Sequence, residues 1–494
     1  MAYLFGDGFD SYAAISDAAL NYWDFGNFAG ILLTPGRFSN SQALRVFSTT
    51  NVVVLSKFSG VNDSVHHIVC AFMQNATISG TSMVSILQLQ DGTTSQCSIN
   101  FRSDGTIILT QGGAGGTVLA TYAGAFPTIS TWYAFEFEVV IHNTTGSFRV
   151  RKNGSPTDDH ATININTRGG TTNNYANRLN LAVGPNSVNS QNFDDILWRS
   201  DAASVPWVGD VRCYSRMPVS DVSTTFTRSQ SSAVISSGNN NTGFDGGGSA
   251  RYVQFVPTFS GTVAAVGIPI LTAFTGNLKG AIFADNAGSP GAVLATSAVM
   301  VNGVIGTGTL TFTPPFAVTK GVTYWVGVNH DVAVQVGIHS SLFLSKVGTG
   351  VPYASFPAAS PVVGGFTNSM GYTMTITITV NADMVNEVLQ DSSTTYIYSS
   401  NPTDADFYTI APLAQTPASV IAVITRGLIQ KSDAGTRTGT VQLKSGATTV
   451  AAPTVSLNTN FGWVYRADAT DPATGLAWTP AAVNAVNIGP LVLS

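Results

Sequence analysis

The side chains best placed to do chemistry are Glu136 and Glu138, two of only three glutamates in the chain. They fall in Trp132–Ile141, where apolar and polar residues alternate. Residues two apart on a strand share a face, so the two carboxylates stand roughly 5–5.5 Å apart, the spacing of a retaining glycosidase pair. No longer acidic run and no third carboxylate accompany them. The preferred reading is therefore a solvent-side strand face. Pairing Ile141 with Phe148 and Val139 with Val150 sets Glu138 against Arg151 and leaves Glu136 free or near Arg149 or Asn153. That register keeps every large apolar group on the core side.

Other candidates are weaker. Asp194 and Asp195 are adjacent acids with side chains on opposite faces, and calcium needs six to eight oxygens, so turn hydrogen bonding is the expected role. His66 and His67 also point to opposite faces and cannot chelate one metal together. His142, His160, His330 and His339 are isolated, and no Ser–His–Asp set follows from spacing. The glycine runs Gly112–Gly116 and Gly246–Gly248 lack the strand–glycine–helix context and the lysine of a phosphate loop, and read as flexible loops. Trp207, Trp325, Trp463 and Tyr396 could stack on sugars, but packing is the commoner fate of such rings. Cys70, Cys97 and Cys213 match no zinc spacing and form no closed disulfide set, which leaves them as small core hydrophobes. The expected lists of catalytic, cofactor and metal residues are accordingly empty.

The elements that must hold these residues are strands. Charged residues make up 10% of the 494, and Thr, Ser, Asn, Gly and Val replace the helix-forming Glu and Lys. The expected fold is all-β: a multidomain β-sandwich and jelly-roll protein. Ile99–Arg102 and Thr106–Thr110 read as a hairpin around Ser103–Gly105. Ser419–Lys431 and Arg437–Ser445 flank a turn at Ser432–Thr436. Thr479 and Pro480 open the best helix candidate, and Ser16–Trp23 is a lesser one. A net charge of −5 with no basic patch gives nucleic-acid binding little support. No run reaches the ~20 apolar residues of a membrane-spanning helix, and MAYLFGDGFD is not read as a signal peptide. Few charges suit permanent subunit contacts.

Residues 1–218 resemble the concanavalin-A-like, laminin-G-like jelly rolls of tailed-phage structural proteins. The carrying segments are Asp7–Asp10, Gly36-Arg37 with Ala43-Leu44-Arg45, Trp132–Val139, Phe148–Gly154, Phe193–Ile196, and the exit Gly209–Arg212 with Met217-Pro218. The last block resembles a phage C-terminal β module through Met384–Glu387, Asp391–Tyr396, Asp404–Tyr408, Lys431–Thr436 and Asp471–Thr479. In the resembling arrangement the linker Asp221–Arg228 runs almost directly into Met384–Glu387, so residues 231–380 are expected to be an inserted sandwich, weakly similar to phage and bacterial surface jelly rolls through Gly280–Pro290 and Gly321–Val328. The expected domains are 1–218, a split module 219–230 plus 381–494, and the insert. The resemblance implies a non-enzymatic part of a tailed-phage virion, made in the bacterial cytoplasm. It would sit in a tail, fibre or other external appendage, contact other virion proteins and copies of itself, with a trimer as the guess, and adhere to host-surface glycan. The alternatives are a capsid or tail-tube decoration protein, and a glycan depolymerase. A secreted lectin is a further reading, opposed by the odd cysteine count.

Overall fold

A computed structural model describes residues 3–12, 14–19, 22–27, 31–48, 52–75, 80–183, 187–237, 243–245, 250–348, 351–358, 361, 363–386 and 394–494. The chain is all-β, and it forms two compact units. One comprises Met1–Phe226, Asn386–Ser393 and Ser399–Ser494, and the other Thr227–Val385 and Thr394–Tyr398.

The first unit opens with fifteen strands. These are β1 (Tyr3–Asp7), β2 (Phe25–Gly26), β3 (Ile31–Pro35), β4 (Gln42–Ser48), β5 (Val52–Asp63), β6 (Val65–Gln74), β7 (Met83–Asp91), β8 (Thr94–Arg102), β9 (Ile107–Gln111), β10 (Val118–Tyr122), β11 (Tyr133–Val140), β12 (Gly146–Lys152), β13 (His160–Ile165), β14 (Ala176–Val183) and β15 (Ser187–Asp201). They make two antiparallel sheets. One runs β13-β12-β11-β6-β15-β4-β3 with β1 also on β15; the other runs β10-β9-β8-β7-β14-β5-β2. Alternation dictates the packing. Ile68, Cys70 and Phe72 of β6, Phe135 and Phe137 of β11, and Leu87, Leu89, Cys97, Ile99 and Phe101 of the facing sheet fill one core. At its centre the Phe72 and Phe101 rings stack at 4.3 Å, with Phe126 and Phe193 edge-on to Phe72. The expected hairpin is the β8–β9 pair.

The β11–β12 register differs from the expected one by two residues. Val139 faces Phe148, Glu138 faces Arg149 and Glu136 faces Arg151. A shift of two keeps every side chain on its own face, so alternation alone cannot distinguish the two registers.

Later in this unit Pro218–Ser223, Phe407–Ile410, Asn487–Val492, Thr438–Ser445 and Thr448–Ala451 run side by side. Val423–Ile429 pairs with Gly462–Asp468 and not with Thr438–Ser445, so the turn at Ser432–Thr436 joins different sheets and closes no hairpin. Thr479 caps the one α-helix among the described residues, Pro480–Ala485, its hydroxyl accepting from Ala482 N–H at 3.1 Å. Among the described residues of Ser16–Trp23 the helical part is a 3₁₀ turn at Ile15–Ala19, and Tyr22 and Trp23 are drawn into the core.

In the second unit, Thr373–Ile378 lies between Ser232–Ser236 and Gly261–Ile270. Ala250–Phe255 pairs with Tyr324–His330, which pairs with Asn277–Asp285. Val253, Phe255, Val266, Ile282, Val326 and Tyr372 are part of its core. The two ends of the stretch 231–380 meet: Ile378 N–H donates to the Ser231 carbonyl at 2.9 Å, and Arg228 reaches the Asn381 side chain at 2.7 Å.

Candidate functional site

Glu136 is closed off and Glu138 is partly buried. On the outer face of its sheet, His67 sits between the two acids, Nδ1 3.2 Å from Glu136 and Nε2 3.1 Å from Glu138. A histidine with a carboxylate on each nitrogen donates from both, which is the imidazolium form. Burial pulls the His67 pKa down, but the two glutamates outweigh it and leave it raised. The segment after β15 lies across this face. Val208 N–H donates to both Glu136 oxygens at 2.9 and 3.1 Å, and Gly209 N–H donates to one of them at 2.7 Å. The Trp207 ring caps His67 edge-on at 4.8 Å and takes the Arg151 guanidinium at 4.0 Å. Glu136 is buried and fully hydrogen-bonded, an anchor for the covering strap rather than a carboxylate open to substrate. Of the expected neighbours, Arg149 lies near Glu138 at 3.6 Å and Arg151 pairs with Asp158 at 3.0 Å.

Asp194 and Asp195 are brought together with residues far away in sequence. Asp194 accepts the Arg37 backbone N–H at 3.0 Å and the Asp195 N–H at 2.8 Å. Asp195 accepts Arg37 Nε at 2.9 Å and Cys213 N–H at 2.7 Å. Arg37 also reaches Asp210 at 2.5 Å and the Val211 carbonyl at 2.9 Å. Asp10 accepts the Gln42 N–H at 2.7 Å beside them. Burial and the Asp195 charge push the Asp194 carboxyl up to about 8; burial lifts Asp195 and Asp10 to about 6. This knot ties the exit strap to the start of the jelly roll. Among the described residues no group of three or more His, Cys, Asp or Glu could hold a metal ion.

The remaining candidates sit apart. His66 is buried and held neutral, its pKa lowered to about 4 by burial. Its Nε2 donates to the Asp63 carbonyl at 2.9 Å and its Nδ1 accepts from Trp198 at 3.3 Å. Neither nitrogen can take a proton from Ser200, which instead donates to Asp63 at 2.7 Å. His142 Nδ1 accepts the Thr144 and Thr145 N–H groups, and His160 stacks on Tyr122 at 5.7 Å. His330 lies against the Val332 carbonyl. The His339 side chain, Gly246–Gly248 and Glu387 lie outside the described residues. Trp325 is buried against Asp285 at 2.7 Å, and Trp463 donates to the Asp17 carbonyl at 3.0 Å. Tyr396 is exposed. Cys70 and Cys97 are buried free thiols and Cys213 is partly buried.

The arrangement that sequence reasoning missed is on the outer face of the other sheet. Phe25, Ser56, Asn180, Gln88, Ser98 and Thr110 stand directly opposite one another on β2, β5, β14, β7, β8 and β9, forming one row across six strands. Beside it run Phe58, Arg178 and Gln90, and on the other flank Ala182, Ile86, Asn100 and Ile108. The side chains are linked. Gln90 donates to Gln88 at 2.8 Å, Gln88 to Ser98 at 3.2 Å, and Ser98 to the Gly112 carbonyl at 2.8 Å. Asn100 donates to Thr110 at 2.9 Å, and Thr110 to the Gly113 carbonyl at 2.9 Å, so the Gly112–Gly116 run is built onto one end of the row. Ser56 Oγ, Asn100 Oδ1, Asn180 Oδ1 and Arg178 Nε have no partner. A buried polar atom left this way costs on the order of 1–3 kcal/mol; Ser56, Asn180 and Asn100 lie beneath the surface, and the parts of this face that reach solvent are Gln88 and Arg178, both partly exposed. Phe25 and Phe58, 52% and 43% exposed, form the open edge of the face. The sequence signal was the polar alternation in Gln88/Gln90 and Gln96/Ser98/Asn100, which any solvent-side strand face also shows.

No protein-family model matches the chain, and no curated protein matches it. Among solved structures it is similar to the catalytic domain of a glycoside hydrolase family 131 beta-glucanase from Podospora anserina, at 11% identity and TM-score 0.29, covering 42% of this chain and 98% of that one. It is similar to a conserved carbohydrate esterase from the Shiga toxin-encoding bacteriophage phi24B, at 12% identity and TM-score 0.28, covering 41% and 98%. It is also similar to arcelin-5, a lectin-like defence protein from Phaseolus vulgaris, at 9% identity and TM-score 0.22, covering 41% and 92%. Catalytic domains thus stand among the similar structures, which overturns the expectation that the chain is not an enzyme.

Proposed function

We propose that this chain engages polysaccharide through the outer face of the seven-stranded sheet, as part of an external appendage of a tailed-phage particle. The observation that carries the reading is the solvent-reaching edge of this face, where the exposed rings of Phe25 and Phe58 stand beside the partly exposed Gln88 and Arg178. Sugars present hydroxyls around the ring and C–H groups on its faces. Amide and hydroxyl side chains answer the first, aromatic rings the second.

The appendage part of the reading is supported by the resemblance of Asp7–Asp10, Gly36-Arg37, Phe193–Ile196 and Gly209–Arg212 to phage jelly rolls. These segments meet in the Arg37 knot. The chain would work as copies of itself, proposed as a trimer, held in fixed number on the virion. The test is binding of purified protein to host-surface polysaccharide, with release of reducing ends or acyl groups followed in the same samples. Binding that a Phe58→Ala change lowers at least tenfold supports the reading. No binding to any surface polysaccharide overturns it. Product release, if seen, makes the engagement depolymerisation or de-esterification. Antibody labelling of intact virions reads the position on the particle; absence from virions removes the appendage part.

A further inference from the structure

We infer that the polysaccharide is acidic, and that Arg178 on β14 binds its carboxylate; this rests on the polysaccharide reading above. Arg178 occupies the row between Phe58 on β5 and Gln90 on β7. Its Nε is buried without a partner, and its guanidinium lies 5.9 Å from the Phe58 ring centre. No carboxylate lies within ion-pair distance of it among the described residues. The other charges near this face are spoken for. Arg102, near the far edge, is paired with Asp104 at 2.8 Å. Asp24, beside Phe25, is held by Lys57 at 3.3 Å and accepts the Phe58 N–H. Asp91, at the end of β7, accepts from Asn173 at 2.8 Å.

An arginine placed this way is an incomplete recognition group. Its planar fork matches a carboxylate with two parallel hydrogen bonds, and such charge-assisted bonds are about twice as strong as neutral ones. The neighbouring groups complete a sugar-acid site. The apolar face of the ring lies on Phe58 or Phe25, the carboxylate on Arg178, and the ring hydroxyls on the partly exposed Gln88 amide. A neutral glycan would use the row but leave the guanidinium unanswered.

The experiment compares polygalacturonate, alginate and hyaluronan with their carboxyl-reduced forms, using the full chain and the Arg178→Gln, Arg178→Lys and Phe58→Ala variants. Arg178 and Phe58 are partly exposed or exposed, and unchanged thermal midpoints confirm that the variants fold. The expected result is at least tenfold tighter binding of a native polymer than of its reduced form. Arg178→Gln abolishes that difference, Arg178→Lys keeps part of it, and Phe58→Ala weakens both forms. Equal binding of native and reduced polymers overturns the inference and leaves the polysaccharide reading standing. A preference for the native polymer that survives Arg178→Gln overturns the assignment of Arg178. Binding of neither form, by a chain that also ignores host-surface polysaccharide, overturns both.

Discussion

At the scale of single residues, most of the chemistry-bearing side chains near the eight-stranded sheet are spent on holding the chain together. Glu136 takes two backbone N–H groups of the strap and one side of His67. Glu136→Gln turns an acceptor oxygen into a donor against those N–H groups. We expect it to lower unfolding free energy by about 1–3 kcal/mol, the cost of buried unsatisfied donors, measured by urea denaturation. Asp194 and His67 carry raised pKa values, so the native state keeps protons that the unfolded chain has released. For Asp194 the excess runs from about pH 4, the unfolded aspartate value, to about 8. For His67 it begins near the unfolded histidine value of about 6.5. Stability of the first unit is therefore expected to fall as pH rises from about 7 to about 8.5; His66, which works in the opposite sense, has finished titrating by then. A urea midpoint that is flat or rises over that window contradicts the assignment.

At the scale of elements, one partly buried cation joins the jelly roll to the strand pair Val423–Ile429 and Gly462–Asp468. The Arg426 guanidinium lies 4.7 Å from the Tyr22 ring, 4.9 Å from Trp463 and 5.5 Å from Tyr12. Asp7 beside it accepts Tyr12 Oη at 2.5 Å and Trp23 Nε1 at 2.8 Å. Each such cation–π contact is worth about 0.5–2 kcal/mol, so Arg426→Ala is expected to lower the melting point of the first unit, measured by calorimetry. The elements themselves were largely legible from the sequence. Period-two alternation located β8, β9, β11 and β12, because strand faces with different surroundings need different side chains. The helix at Pro480 was legible from its cap. Register and partner choice were not, as the two-residue shift of β12 and the strand pairing of Val423–Ile429 show.

At the scale of the whole chain, the contact between Ser231 and Ile378 puts the ends of residues 231–380 one hydrogen bond apart. Excising that stretch and joining Gln230 to Asn381 is expected to leave the first unit with its own melting transition; loss of all cooperative unfolding contradicts this. The amino-acid sequence by itself determined the all-β class, most strand positions and the motif segments, since these depend on local alternation, turn residues and cap chemistry. Only the tertiary structure decided what those residues do. It sealed Glu136 beneath the Val208–Gly209 strap, set Trp207 over His67, and gathered Asp10, Arg37, Asp194, Asp210 and Cys213 into one knot. It also lined up Phe25, Ser56, Asn180, Gln88, Ser98 and Thr110. The reason is physical: burial and hydrogen-bond partnership are set by residues hundreds of positions away, Trp463 and Asp17 among them, and pairing between strands is not encoded in the spacing within any one of them.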